Sequence, residues 1–275
     1  MSVLGMDGDV TPESVRAEFS TWLAGNWNPD LSLRGWRTLL CDSGWAVPHW
    51  PTQWFGRGLP AWAESLVSEQ IRAHGAVGLP AGAGMALAAP TILEHGSDRL
   101  KETFLRATIT GEFTWCQLFS EPGAGSDLAG LQAKAVRDGD EWVVNGQKVW
   151  NTSAHHADYG ILMARTDSSA PKHAGITYFV LPMRQPGVLV RPLKQMNYHA
   201  SFNQVFMTDA RVPVDHVVGE VNKYLTVTEP YKMKDESQRD MQAIKEIGEL
   251  CFNSADFKEG MTSFLEKRAP HFTGR

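Results

Sequence analysis

The residues whose types and spacing can do chemistry lie between Trp115 and Ser153. Ser120-Glu121-Pro122 interrupts an apolar run, and Gly123-Ala124-Gly125-Ser126-Asp127 follows it. Two glycines so close together leave backbone N–H groups open to a phosphate oxygen, and Ser126 adds a hydroxyl at the same place. This is the chemistry of an anionic-cofactor site. It is not the dinucleotide fingerprint of a parallel βαβ unit, because Leu128 stands where the third glycine belongs and no long helix follows. Two β-branched runs come next, joined by Asp138-Gly139-Asp140 and then by Asn145-Gly146, both of which read as hairpin turns. The second run ends in Lys148-Val149-Trp150-Asn151-Thr152-Ser153. His155-His156 forms a tempting pair. On an extended chain adjacent side chains point to opposite faces, and no carboxylate or cysteine stands at ligand spacing, so the pair reads as loop and no metal is expected. Arg165-Thr166 and Arg191 end strands and are expected to make structural ion pairs.

The elements that must hold these residues divide the chain in three. Residues 1–112 read as helical. Thr11-Pro12-Glu13 is a helix start, Trp36–Cys41 a short helix, and Ala61–His74 a helix with Leu66, Val67 and Ile71 on one face. Met85–Leu93, with Pro90 as a kink, and Asp98–Ile109, capped at Ser97 or Asp98, follow. The tryptophan-rich loop from Trp45 to Pro60 reads as packing between helices. Residues 113–219 read as a small antiparallel β-barrel or sandwich, with the apolar run from Ile176 as a central strand. Residues 220–275 form a helical tail in which Met233–Phe252 is polar and Ser254-Ala255-Asp256 caps a last helix, Phe257–Arg268. The fold class is thus α+β.

Composition narrows the function. A chain of 275 residues can hold two modest domains, and a net charge of -5 without a basic run argues against a nucleic-acid surface. Three scattered cysteines, Cys41, Cys116 and Cys251, indicate neither a disulfide framework nor a metal knuckle, which fits the cytoplasm. The N-terminus lacks the apolar run of a secretory signal, and no stretch reaches membrane-spanning length.

The segments Ser120–Asp127 and Asn145–Ser153, with Ala164-Arg165-Thr166, His173-Ala174-Gly175 and Arg191-Pro192, resemble the acyl-CoA dehydrogenases, FAD-dependent flavoproteins that desaturate CoA thioesters between Cα and Cβ. The resemblance runs from the N-terminal helices to about Gly219. It implies a helical domain shaping an acyl pocket, a flavin-binding β-domain, FAD as cofactor and an acyl-CoA substrate. Trp150 is then expected against the flavin ring and Thr152 near N5 or O4. Gln117, Phe119 and Ser120 line the pyrimidine side, and Ser126, beside Gly125, meets the pyrophosphate and the CoA chain.

Beyond Gly219 the landmarks of the family's C-terminal helical bundle are missing. Asp256, Glu259-Gly260, Phe264–Arg268, Pro270 and Phe272 instead resemble the extreme C-terminus of enoyl-CoA hydratases of the crotonase family, without their acid/base glutamates. The dehydrogenase base is a glutamate of that missing bundle, so no catalytic residue is assigned. Glu229, Asp235, Glu236, Glu246 and Glu259 lie in a polar stretch. Two readings follow: an FAD oxidoreductase with impaired turnover, or a non-catalytic flavin- and acyl-CoA-binding subunit or inactive fusion product. A homo- or hetero-oligomer, including one with a full-length relative, is expected, because helical and β-domains that normally pack on a bundle leave apolar surface unpartnered.

Overall fold

The computed structural model describes residues 10–196, 198–224, 254–269 and 271. Two compact units, residues 1–227 and 228–275, divide the chain. In the first, α1 (Pro12–Asn26) starts at Thr11, whose hydroxyl accepts from the Ser14 amide while the Ser14 hydroxyl accepts from the Thr11 amide, closing a reciprocal cap. Helix α2 (Leu33–Asp42) begins earlier than expected because the Ser32 side chain caps it at the Gly35 amide. Helix α3 covers Trp62–Ala73. The expected kinked helix at Met85 is a π-helical turn, Gly84–Ala88, leading into α4 (Ala89–His95) with Pro90 in its first turn. Helix α5 (Asp98–Thr110) is capped by Ser97 and ends at Gly111, whose φ of 77° only glycine adopts without strain.

Among the described residues eight strands form one sheet: β1 (Trp115–Leu118), β2 (Lys134–Asp138), β3 (Glu141–Lys148), β4 (Tyr159–Arg165), β5 (Ile176–Pro182), β6 (Val188–Leu193), β7 (Phe202–Pro213) and β8 (Val217–Val218). Their order is β6-β7-β3-β2-β4-β5-β8, with β1 also on β4. Pairing is antiparallel except where β1 and β2 run parallel to β4. Strands β4 and β5 are buried on both faces, as their nearly unbroken apolar sequence requires. Ile161, Met163, Tyr178 and Val180 face the helices and share a core with Phe19, Trp36, Ile92 and Phe104. Leu162, Phe179 and Leu181 point the other way, into a second core with Trp142, Val144, Val205 and Val212.

Asn145-Gly146 is not a turn. Strand β3 runs straight through it, pairing with β7 from Glu141 to Lys148. The irregularity sits in β7, where Thr208 and Asp209 together oppose Asn145 and Asp209 takes a left-handed φ of 52°. Asn145 holds this bulge through two hydrogen bonds of 3.0 Å, its Nδ2 donating to Asp209 Oδ1 and its Oδ1 accepting from the Asp209 amide. Gly146 is needed because a Cβ there would lie 2.6 Å from the Cα of Ala133, the residue before β2.

The tryptophan-rich segment packs as expected: Trp45 and Trp50 are buried. Arg57 stacks 4.1 Å from the Trp45 ring centroid while pairing with Glu18. In the second unit the described helix is α6 (Ala255–Glu266). Glu259 there is gripped by Arg268 at 2.6 and 2.8 Å and accepts the His271 amide at 2.8 Å, contacts that hold its carboxyl down to about 2. Such a carboxylate is no proton acceptor near neutrality. The expected helix Met233–Phe252, with Glu229, Asp235, Glu236 and Glu246, lies outside the described residues. Among the described residues no helix is long and apolar enough to cross a membrane.

Candidate functional site

Trp150 marks the site. It follows β3, keeps a left-handed φ of 64°, and is 63% exposed as a residue, its ring edge-on to Phe202 at 6.2 Å. A large aromatic side chain held in that backbone region and turned to solvent is costly on both counts, a pattern found where a ligand is received. The segment is over-determined by its neighbours. Asn151 exchanges backbone hydrogen bonds of 3.0 Å with Asn203, and its Nδ2 donates to the Gln117 carbonyl at 2.6 Å. The Ser153 amide donates to Ser201 at 2.9 Å, and the Val149 amide to Ser120 at 2.9 Å.

Two recesses meet at this tryptophan. The smaller, about 170 Å³, is lined by Gln117, Phe119, Ser120, Gly125, Trp150 and Asn151 among others. The larger, about 650 Å³, shares Gln117 and Trp150 and extends past Thr152 and Trp115 to the π-helical turn, Thr108, Gly111 and Arg37. The sequence-derived residues Gln117, Phe119, Ser120, Gly125 and Trp150 therefore come together around one recess, and Thr152 opens onto the other. Ser126 lines neither; it is exposed on the neighbouring loop. Asp127 pairs with Lys172 and holds that loop.

Beneath the loop lies a buried ion pair. Lys148 Nζ donates to Glu121 Oε1 at 2.8 Å and to the Phe119 carbonyl at 3.0 Å. The same carboxylate accepts the amides of Gln132 and Ala133 at 2.6 and 2.9 Å. Burial pushes the lysine down to about 8, against the pull of Glu121. These bonds fix both ends of the Phe119–Ala133 loop from below.

Three expectations are corrected. Arg165 makes no ion pair among the described residues; it donates to the carbonyls of Ala129, Leu131, Lys172 and Ala174, bracing the loop after Ser126. Arg191 likewise lies over the Phe206 ring at 5.4 Å and pairs with no carboxylate among the described residues. The His155 and His156 rings, rather than pointing apart, face each other at 3.9 Å because residues 152–156 form turns. Among the described residues no group of three or more His, Cys, Asp or Glu could hold a metal. Sequence reasoning missed Asn151, Asn203 and Arg37. The first two are signalled only by burial of a polar residue, which a single sequence does not display.

A flat, hydrogen-bonding ring fits this recess. Trp150 offers an uncovered aromatic face, Asn151 leaves its buried Oδ1 without a donor, and the space over Gly123 and Gly125 is open. An isoalloxazine supplies both a ring and N–H donors.

Comparison with known proteins agrees with this geometry. Residues 13–112 match the N-terminal domain of the acyl-CoA dehydrogenases and residues 116–210 their middle domain. The chain belongs to the acyl-CoA dehydrogenase family through these two domains. Acyl-CoA dehydrogenase FadE34 of Mycobacterium tuberculosis is 51% identical over 183 residues, 66% of this chain and 26% of its own length. Among solved structures, the ChsE4-ChsE5 complex from Mycobacterium tuberculosis superposes with a TM-score of 0.63 at 30% identity, over 83% of this chain and 61% of that one. The Tcur3481-Tcur3483 steroid ACAD does so with a TM-score of 0.62 at 27% identity, over 82% and 61%. The chain thus spans 26% to 61% of the length of these relatives.

Proposed function

We propose that the chain binds FAD on its β-sheet and a CoA thioester in the adjoining cleft, forming part of an α,β-desaturating acyl-CoA dehydrogenase. The observation that carries this reading is Trp150, exposed and held left-handed where the two recesses meet. When bound, the flavin accepts the β-hydride of the thioester. Trp150 covers one part of the ring and Thr152 offers a hydroxyl at its edge, while Gln117, Phe119 and Ser120 line the recess beneath. Gly125 and Ser126 give amides and a hydroxyl to the cofactor's phosphates and the CoA chain. Residues 1–112 act as the acyl-binding domain and 113–219 as the flavin-binding domain. The tail, residues 220–275, is read as a segment similar to the end of the enoyl-CoA hydratases, without hydratase chemistry, and the setting as cytoplasmic.

Abstraction of the α-proton needs a carboxylate or similar base within hydrogen-bond reach of the substrate. Among the described residues the large cleft is lined by no aspartate or glutamate; its titratable members there are Arg37 and His156. Assembly with a second polypeptide is also part of the proposal, making this chain one subunit of a hetero-oligomer. The two-component complexes among its structural neighbours support that arrangement. Titration of FAD into the purified chain, followed by tryptophan quenching and by the visible flavin band, tests the reading. Saturable binding is expected; none at high micromolar FAD overturns it.

A further inference from the structure

The larger cleft ends at a cation that has no counter-ion among the described residues. Arg37, on α2, lines the cleft together with Pro80, Gly111, Thr108, Trp115 and the π-helical turn. Its Nε donates to the Gly78 carbonyl at 3.3 Å. Among the described residues the guanidinium has no ion pair, and its two Nη groups have no hydrogen-bond acceptor. Desolvation pulls its pKa below the ordinary arginine value, so part of its surface has already left water.

The position of Arg37 along the cleft follows from its contacts. Its Nη1 lies against Gly111, where an added Cβ would be 2.8 Å away. Gly111 closes α5 three residues after Thr108, and the Thr108 hydroxyl accepts from Trp115 Nε1 at 2.9 Å. Two residues farther along β1, Gln117 shares both recesses with Trp150. Arg37 and Trp150 are thus at opposite ends of a chain of neighbours. The wall between them is kept low by Gly84, where a Cβ would lie 2.9 Å from Trp115 Cδ1 and 3.1 Å from Thr108 Cγ2.

An arginine fork with free Nη groups is the usual partner of a carboxylate. The bland alternatives are a solvated surface arginine and a cation serving the C-terminal end of α5. The second would place an Nη on one of the last carbonyls of that helix, and no such bond is present. We propose that Arg37 selects acyl-CoA substrates whose acyl chain ends in a carboxylate, the far oxygen atoms lying on its guanidinium while the thioester lies at Trp150. This rests on the acyl-thioester reading above.

The test uses the whole chain loaded with FAD and matched pairs of thioesters: hexanoyl- with adipoyl-CoA, octanoyl- with suberyl-CoA, and decanoyl- with sebacoyl-CoA. Affinities come from calorimetry, and the CoA phosphates cancel within each pair. Wild type is expected to prefer the diacid of at least one pair by roughly ten- to hundredfold, the size of a charge-assisted bidentate contact. In Arg37→Met that ratio should fall to near one, and in Arg37→Lys to an intermediate value, with FAD affinity as the control for folding. Thioester binding without preference in wild type, or a preference that survives in Arg37→Met, overturns the inference and leaves the parent reading intact. Equal losses for both members of a pair in Arg37→Met assign the arginine to the CoA phosphates and also overturn it. Failure of wild type to bind FAD or any thioester overturns the parent reading, and this inference with it.

Discussion

Lys148, with no solvent exposure, lies 2.8 Å from a Glu121 carboxylate that also accepts two backbone amides from the far end of the loop it begins. Removing either partner leaves an uncompensated charge in a dry place, which costs about 3–5 kcal/mol. Lys148→Met and Glu121→Gln should each lower unfolding stability by that order in urea, and FAD affinity should fall with them. The double variant Lys148→Met/Glu121→Gln should recover part of the stability, because it removes both charges together and keeps an acceptor for the Gln132 and Ala133 amides. Single variants as stable as wild type would show that the pair does not organise the loop.

Trp150 gives the opposite pattern. Its left-handed backbone costs of order 1 kcal/mol, which glycine relieves. Trp150→Gly should leave the melting temperature unchanged or slightly raised while FAD binding weakens at least tenfold. A variant that both unfolds readily and binds FAD normally would make the tryptophan a core residue.

The cleft can be closed without touching the flavin recess. A valine at Gly84 would press on Trp115 and Thr108. Gly84→Val should abolish binding of octanoyl-CoA while FAD titrates as in wild type. Loss of both ligands together would point to a collapsed fold instead.

Two thiols set an alkaline boundary. Burial pushes Cys41 and Cys116 up to about 12, from an ordinary 9.0. The folded chain therefore keeps protons that the unfolded chain gives up, and stability falls as pH rises from about 9 toward 12. In a Cys251→Ser background, iodoacetamide at pH 8 should label neither thiol in the native state and both in urea, read by intact mass. Prompt native labelling would mean that these sites open readily.

Acyl-CoA-dependent dye reduction by the chain with excess FAD should be slower than that of an intact family member by a factor of a hundred to ten thousand or more, the size of a missing general base. Rates comparable with an intact dehydrogenase would place the base within this chain.

Much of this was legible in the sequence because the signals were local. The Thr11 and Ser97 caps, the buried β5 run and the clustering of Gln117, Ser120, Gly125 and Trp150 depend on neighbours in the chain or on short motifs. The misread features depend on partners far away. Asn145-Gly146 looks like a hairpin turn until β7 is seen to hold β3 along its whole length. The arginines at 165 and 191 looked like ion-pair members because nothing nearby in sequence announces a cluster of carbonyls or a ring. Arg37 entered the cleft through α2, some forty residues before the loop it touches.

The extra residue in β7 has a reach beyond the strand itself. Val205 and Met207 on one side of Asp209, and Ala210 and Val212 on the other, all face inward only because the bulge shifts the alternation by one step. Asn203, which anchors Asn151, stands in the first of these phases. The length of this chain is therefore constrained unevenly along and beside β7. Insertions between Tyr198 and Ser201 stay within a loop, whereas deletion of Thr208 or Asp209 turns Asn203 outward and releases the segment that carries Trp150. The reading frame of the sheet, counted residue by residue from Asp209, is what delivers the aromatic ring to its recess.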